Sequence, residues 1–416
     1  MIDAISFMEN LEQEGTDFKK DLSYLKTEEQ IEILKLSCKE FYPEEEIRKK
    51  FIDAKANNEF FSVKYGIDPS SIDMQIGDIP PLVLSGKLQR MGHKVTILIG
   101  DFTAMIGDPF IVWNAKELSR KSIERNLKHL KKQLDNFLDF AKVNTVYNSS
   151  WLNDMKLPKL IELMKKVNVM NILMKDKFKE KLDKGENFTF AKLIYPFITG
   201  IDSIEINPDI EIGKDNQISN FHMCRHMMDV EGLIPEVVMT TIPMPEECLF
   251  SIDTKPIDIF KKVSKLDKES VYIWFRLLTE ISPNRMRDIE KLVEKGELDL
   301  QAIKEILAKI IVTRIYDKDE SDLAYIEYVK ELVKKSETQD IAVLSGSVEI
   351  GEFIAASTDL TLAEAKSYIK SGGTKMLSCD GKSLVHIIEC GADINSISFD
   401  KFYIIISDRL ILSIKK

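Results

Sequence analysis

The chain is poor in cysteine and histidine and has no long apolar run. Its five cysteines, Cys38, Cys224, Cys248, Cys379 and Cys390, are scattered and form no CxxC pair. A disulfide framework or a zinc knuckle is therefore not expected, and the cysteines read as small buried apolar residues. No stretch reaches the roughly 18 continuous apolar residues that a membrane span needs. Met1 to Lys20 lacks the apolar core of a signal peptide, so a cytoplasmic protein without membrane contact is expected. Positive charge is not in excess. Lys and Arg number 58 against 68 Asp and Glu, giving a net charge of −10 and a pI near 5.3. That balance argues against broad nonspecific nucleic-acid binding, which needs a positive face. Neither a solenoid period nor a low-complexity tract is present.

What is there suits a soluble globular chain. The 416 residues fit two or three domains, and 44% apolar with 30% charged residues is ordinary. Residues 1–59 read as a helical N-terminal extension, with apolar residues at helical spacing in Glu28–Lys39 and Pro43–Ala54. The period then changes. Phe60–Ile67 reads as a strand, followed by a helix carrying Leu82, Leu84, Leu88 and Met91 and stopped at Gly92. Lys94–Ile99 (KVTILI) is a continuous apolar strand of the doubly buried kind. Strand, helix and strand in this order predict a βαβ unit and a parallel sheet, so residues 60–252 read as a Rossmann-like α/β domain. Within it, Asn114–Ala141 reads as a long amphipathic helix and Thr145–Tyr147 as a short strand. Pro158–Val167, Asn171–Leu182 and Phe190–Ile201 read as further helices, and Glu236–Ile242 as another buried strand. Residues 253–339 read as a helical domain, broken at Ser282-Pro283 and Gly296. Residues 340–416 read as a small α+β module with turns at Ser345-Gly346, Ser371-Gly372-Gly373 and Asp380-Gly381.

Parallel α/β sheets place ligands at the carboxyl ends of their strands. Lys64, Gly66 and Asp68 lie on or at the end of the first such strand, and Asp101 and Asp108 follow the second. Gly66, Gly77, Gly100 and Gly107 allow close backbone approach, although glycines and aspartates also serve plain turns. Tyr195, Thr199 and Asp202 stand four and three apart, so one helix face presents all three. Gly213-Lys214-Asp215-Asn216-Gln217 is a polar loop opening a helix, a place that favours an anion. His222 and His226 stand four apart, but no third metal ligand is near in sequence. Both read as structural, and no metal is expected. His93, His129 and His386 are isolated.

These residues add up to a resemblance. Tyr65-Gly66-Ile67-Asp68-Pro69-Ser70, Gly92-His93-Lys94 and Ile99 to Pro109 resemble the bacterial tyrosyl-tRNA synthetase family, a class I aminoacyl-tRNA synthetase. Leu193 to Phe197 and Gly200 to Ser203 continue the match in order, as does Ile257 to Ser282. The tail, through Ala363 to Ile369 and Asp380-Gly381, resembles that family's S4-type RNA-binding module. The resemblance implies a class I doubly wound sheet, a helical domain, an S4-like module and a homodimer. It implies that Asp108 and Tyr195 hold an amino group and that Asp202 accepts a phenol hydroxyl, with Thr199 replacing a glutamine and Gln217 near the substrate. One acceptor for a phenol discriminates strongly against phenylalanine.

The catalytic signatures depart from the family. Its HIGH motif stands here as Gln75-Ile76-Gly77-Asp78, which puts a carboxylate where a triphosphate belongs. The lysine-bearing KMSKS loop is expected after Ile242-Pro243, but Met244-Pro245-Glu246-Glu247 runs straight on to Cys248 and the loop reads as deleted. The ribose motif GGTDQ is Gly213-Lys214-Asp215-Asn216-Gln217. Lys262-Val263-Ser264-Lys265 looks like part of KMSKS but aligns better with a later helix. In the tail, acids outnumber bases, so any RNA contact through Lys366, Lys370 and Lys375 is expected to be weak. The reading is a tyrosyl-tRNA synthetase-like protein that keeps a pocket for tyrosine or a related amino acid, has lost ordinary tyrosine–tRNA ligation and is repurposed to act on an amino acid or amino-acid derivative in specialised metabolism. ATP is needed only if the family activity survives. In this reading Lys214 holds a substrate carboxylate. The alternatives are a non-catalytic tyrosine-binding or synthetase-partner protein, and an unusual but active ligase using Lys262 and Lys265.

Overall fold

The computed structural model describes residues 3–109, 118–173, 176–245, 249–335, 339–342, 349–378, 384–386, 401–407 and 410–415. The chain divides into two compact units. One is Lys19–Asp253, and the other joins Met1–Phe18 to Thr254–Lys416. Residues 1–59 are therefore shared between the two rather than forming one extension.

In Lys19–Asp253, six strands form one sheet: β1 (Cys38–Tyr42), β2 (Ser62–Ile67), β3 (Lys94–Ile99), β4 (Asn144–Tyr147), β5 (Ile210–Lys214) and β6 (Val237–Thr241). Their order is β1-β6-β5-β2-β3-β4. All neighbours are parallel except β1, which runs antiparallel to β6. Every residue of β6 and nearly all of β3 is buried, as continuous apolar runs in a parallel sheet require. The helix Ile79–Arg90 connects β2 to β3. Its two prolines sit in the first turn, where no amide hydrogen bond is lost. Gly92, at φ +98°, ends the connection in a conformation that suits glycine.

Two strands escape the sequence pattern. Cys38 belongs to edge strand β1 rather than to the preceding helix, which spans Thr27–Lys35. Pairing of Phe41 with Met239 overrides the local helical spacing. β5 has a glutamate between two isoleucines, which breaks both the alternating and the continuous apolar signal. The long helix expected over Asn114–Ala141 is seen as Arg120–Leu134 and a short turn at Phe140–Lys142, residues 114–117 lying outside the described residues. Asn171–Leu182 divides into Met170–Leu173 and Asp176–Asp183. Phe190–Ile206 is longer than expected and packs on Ile218–Val230. Gly200 makes that closeness possible, because a Cβ there would lie 2.5 Å from Met227 Cγ.

In the other unit, Pro256–Val263, Lys268–Leu278, Pro283–Glu294, Leu300–Ile315 and Lys318–Lys335 are helical, and Ser282 caps the third with its side chain. Trp274, Phe275 and Ile303 are fully buried there. The tail carries helices Ile350–Ala356 and Leu362–Lys370 and a second sheet. Its strands are β7 (Gln339–Ala342), β8 (Thr374–Ser378), β9 (Leu384–His386), β10 (Lys401–Ile406) and β11 (Leu410–Lys415), in the order β7-β11-β10-β8-β9. That sheet is antiparallel apart from the β7–β11 pair. Asp380-Gly381, Ser345-Gly346, Cys248, Cys379 and Cys390 lie outside the described residues.

Candidate amino-acid site

The carboxyl ends of β2, β3 and β5 open onto a cavity of about 440 Å³. Its wall contains Lys64, Gly66, Asp68, Gln75, Asp78, Asp108, Tyr195, Thr199, Asp202, Lys214 and Gln217. The residues singled out in the α/β part of the sequence are thus brought to one place. Asp101 is not in that wall. Its carboxylate accepts from the backbone and hydroxyl of Ser149 at 3.1 and 2.6 Å, so it starts the helix Ser149–Leu152.

One side of the cavity is built on Asp68. It accepts from Tyr195 Oη at 2.9 Å and from Thr103 Oγ1 at 2.7 Å. Gly100 makes room for this carboxylate, since a Cβ would stand 1.9 Å from Asp68 Oδ1. Burial raises the Asp68 pKa to about 7, against the two hydroxyl hydrogen bonds, and the charges of Asp108 and Asp202 push the same way as burial. Asp108 accepts from Gln217 Nε2 at 2.8 Å and from Asn220 Nδ2 at 3.3 Å. An ammonium group suits this side, with two carboxylates and a tyrosine hydroxyl close together. Thr199 donates to Pro196 O within its own helix at 2.8 Å while still lining the cavity.

The floor is more highly charged than the sequence suggested. Asp202, 2% exposed, accepts from Trp151 Nε1 at 2.9 Å and Asn148 Nδ2 at 3.2 Å. Burial raises its pKa to about 7, although Lys64 and both hydrogen bonds oppose the rise. Lys64 on β2 stands opposite Glu211 on β5, and the two pair at 2.8 Å. Its ammonium also reaches Ser203 Oγ at 2.5 Å and lies 3.8 Å from Glu236 Oε2. Ser203 donates in turn to Glu236 Oε1 at 3.0 Å. Glu211, Glu236, Ser203, Asn148 and Trp151 were not anticipated. The one available signal was a glutamate inside, or just before, an apolar strand, and it is readable only once β5 is known to be a strand. Cys224 is also buried here, and burial holds its thiol neutral.

At the mouth, Asp78 of the Gln75–Asp78 segment meets Lys214 of the Gly213–Gln217 loop. Lys214 Nζ pairs with Asp78 Oδ1 at 2.8 Å. Asp78 is thus paired with a cation, and Lys214, the residue expected to hold a substrate carboxylate, is engaged with Asp78. Asp78 Oδ2 also accepts from Gln75 N at 2.9 Å. Beside them, Lys39 pairs with Asp215 at 2.8 Å. The segment after the expected KMSKS position is fastened to this motif, with Ile76 N donating to Phe250 O at 2.8 Å and Ile252 N to Met74 O at 3.0 Å. Glu246, Glu247 and Cys248 lie outside the described residues. Lys262 and Val263 end the helix Pro256–Val263, and Val263 is buried in its own unit.

Elsewhere, His129, isolated in sequence, lies with Nε2 3.1 Å from both Asp73 Oδ1 and Asp253 Oδ2. The ring of His222 meets Tyr42 edge-on, with centroids 6.0 Å apart. Lys375 is 3% exposed and paired with Glu305, which removes it from the proposed RNA-facing set. Lys366 is partly exposed, 3.9 Å from Glu349, and Lys370 is exposed. No helix among the described residues is long and apolar enough to cross a membrane.

Comparison with known proteins agrees with this architecture. The chain is 28% identical over 367 residues to the tyrosine–tRNA ligase of Bdellovibrio bacteriovorus, covering 84% of this chain and 90% of that one. It is 29% identical over 366 residues to tyrosine–tRNA ligase 2 of Clostridium acetobutylicum, covering 84% and 91%. Among solved structures, the mitochondrial tyrosyl-tRNA synthetase of Aspergillus nidulans superposes with a TM-score of 0.62 at 17% identity, over 78% of this chain and 99% of that one. The Archaeoglobus fulgidus tyrosyl-tRNA synthetase, solved with L-tyrosine, gives 0.58 at 14% identity, over 72% and 100%. These two share the fold. Residues 55–333, more than half of the chain, match the model of the tRNA synthetases class I (W and Y), and the chain belongs to that family, with tyrosyl members as its relatives.

Proposed function

We propose that this chain binds an amino acid or amino-acid derivative in the cavity and that ordinary ATP-dependent ligation of tyrosine to tRNA is weak or lost. The observation that carries the proposal is the Lys214–Asp78 pair at 2.8 Å. Phosphate stabilisation works through cationic donors aimed at the developing charge. Here the cation at the mouth is neutralised by a carboxylate on the HIGH-like segment, so a triphosphate meets a neutral pair. The amino-group side keeps Asp68, Asp108 and Tyr195 within one wall. A homodimer, and weak RNA contact through Lys366 and Lys370, belong to the same proposal.

A second reading, an active tyrosine–tRNA ligase, is favoured by the printed names of the relatives. Tyrosine-dependent ATP–pyrophosphate exchange on the purified protein separates the two, with a known synthetase as positive control. Absence of exchange, together with measurable amino-acid binding, supports the proposal. Robust exchange overturns it.

A further inference from the structure

Away from the charged floor of the cavity, Asp73, His129 and Asp253 meet at one point. The segments that carry the two aspartates run side by side. Gln75 and Ser251 form an antiparallel bridge, Ile76 N donates to Phe250 O at 2.8 Å, and Ile252 N donates to Met74 O at 3.0 Å. The same register sets Asp73 opposite Asp253. Like charges directly opposite each other destabilise a strand pair, so this pairing calls for a cation between them. The helix Arg120–Leu134 places His129 there, with Nε2 3.1 Å from Asp73 Oδ1 and 3.1 Å from Asp253 Oδ2. Among the described residues, no Lys or Arg pairs with either carboxylate.

One imidazole nitrogen does not satisfy both oxygens. In the neutral ring Nε2 carries at most one hydrogen, which serves two acceptors poorly. With the hydrogen on Nδ1, the Nε2 lone pair faces two carboxylates. A protonated ring brings one positive charge against two negative ones. A divalent ion balances both carboxylates and takes the Nε2 lone pair as its third ligand. The spacing also fits. Ligands held about 2.1 Å from an ion stand about 3.0 Å apart on an octahedron and about 3.4 Å apart on a tetrahedron. The three ligand atoms here all lie within 4.8 Å of one another. The three side chains are partly exposed, so an ion can enter and water can complete its shell.

The support behind these ligands is also in place. Gln133, one turn along the helix from His129 and buried, donates from Nε2 to Asp253 Oδ1 at 3.1 Å. Its Oε1 accepts from Met74 N at 3.1 Å. Gln133 thus orients Asp253 and the residue beside Asp73 together, as the outer partners of ligating carboxylates do. Burial opposes ionisation of Asp253, but hydrogen bonds from His129 and Gln133 hold its carboxyl below the ordinary value.

We propose that Asp73, His129 and Asp253 bind a divalent first-row metal ion of the Zn²⁺ or Co²⁺ class, which accepts imidazole and carboxylate together. The ion joins the helix Arg120–Leu134 to the two paired segments. Met74 and Gln75, which follow Asp73, line the cavity, so the ion fastens that part of the wall. The inference does not depend on what the cavity binds.

The test is calorimetric titration of the chelator-treated full-length protein with Zn²⁺ at pH 7, repeated with Mg²⁺. The wild type is expected to take up one equivalent of Zn²⁺ in this site, at least about 100-fold more tightly than Mg²⁺, which imidazole suits less well. His129→Gln and Asp253→Asn, both at partly exposed positions, are each expected to weaken that binding by about 100-fold, at the upper end of what loss of an outer partner does. Saturating Zn²⁺ is expected to raise the thermal midpoint of the wild type by several degrees and to leave that of His129→Gln unchanged. A wild type that binds no Zn²⁺ overturns the inference, whatever the variants do. Uptake that is the same in wild type, His129→Gln and Asp253→Asn places the ion elsewhere in the chain and also overturns it. So does a wild type that ignores Zn²⁺ yet loses stability in His129→Gln, since a proton then serves as the cation.

Discussion

Lys214 and Asp78 meet at 2.8 Å across the mouth of the cavity, one at the end of β5 and the other at the start of the helix that follows β2. Each side chain is about one-third exposed, at 32% and 33%. Alone, either side chain would leave a charge at the mouth without a partner. Together they form a neutral pair, so the two side chains act as one unit at the mouth. Exposed pairs of this kind contribute only ~0.2–1 kcal/mol to stability. The pair therefore matters more for what can bind at the mouth than for folding.

Asp78→Asn should expose this. Removing the carboxylate frees the Lys214 ammonium and takes a negative charge away from the phosphate side. ATP binding, followed by titration of a fluorescent nucleotide analogue, is expected to tighten about fivefold, the equivalent of ~1 kcal/mol. The double variant Asp78→Asn with Lys214→Ala should lose that gain. If the single variant binds nucleotide no better than the wild type, the pair is not what keeps nucleotide out.

Lys64→Met should be among the most destabilising single changes in Lys19–Asp253. The lysine is 1% exposed and is the cation nearest to both Glu211 and Glu236. Removing one partner of a buried charged cluster costs ~3–5 kcal/mol, because the remaining carboxylates lose their counter-charge. Urea denaturation should show this loss. The triple variant Lys64→Met, Glu211→Gln, Glu236→Gln should recover most of it, since no charge is then left unmatched. A small loss in the single variant would mean that water or protons already satisfy the glutamates.

The sheet was legible where periodicity alone decides. Lys94–Ile99 is bounded in the structure as the apolar run predicts, and the strands over Phe60–Ile67 and Glu236–Ile242 shift by only one or two residues at their ends. The cavity wall was legible because its residues follow strand ends or repeat on one helix face. Of the floor, Lys64 and Asp202 were singled out, but Glu211 and Glu236 were not, because they meet Lys64 only through the β2–β5–β6 order, which no local pattern reveals. A glutamate between isoleucines in β5 reads as a break in hydrophobicity until its cross-strand partner is known. Likewise, Lys375 reads as a surface base in the sequence because Glu305, which buries it, is 70 residues away.

Lys375→Ala should accordingly act on stability rather than on RNA affinity. Its ammonium is paired with Glu305 and lies 5.8 Å from the centre of the Tyr325 ring. Truncation leaves Glu305 buried with only the Tyr325 hydroxyl, at 2.7 Å. A loss of ~3–5 kcal/mol is expected in chemical denaturation. Lys370→Ala, at an exposed position, should change stability by less than ~0.5 kcal/mol. Equal effects of the two substitutions would contradict the buried pairing.

Stability and amino-acid binding should differ in the sign of their pH dependence. Burial, against their hydrogen bonds, raises Asp68 and Asp202 to about 7, from an ordinary carboxyl value near 3.8. Between those values the folded protein holds protons that the unfolded chain has released. By linkage, the stabilising contribution of these two groups is complete below about pH 4 and is lost as pH rises through about 7. In the ligand-free protein the thermal midpoint should therefore fall between pH 5 and 8, and Asp202→Asn, which cannot ionise, should flatten part of that fall. Binding of an amino acid must run the other way. The ammonium of the ligand needs Asp68 ionised, against the facing charges of Asp108 and Asp202, so affinity should rise across the same interval. Thermal melts and calorimetric titrations at pH 5.5, 6.5, 7.5 and 8.5 supply both curves. Slopes of the same sign would mean that these two carboxyl groups do not meet the ligand's charge.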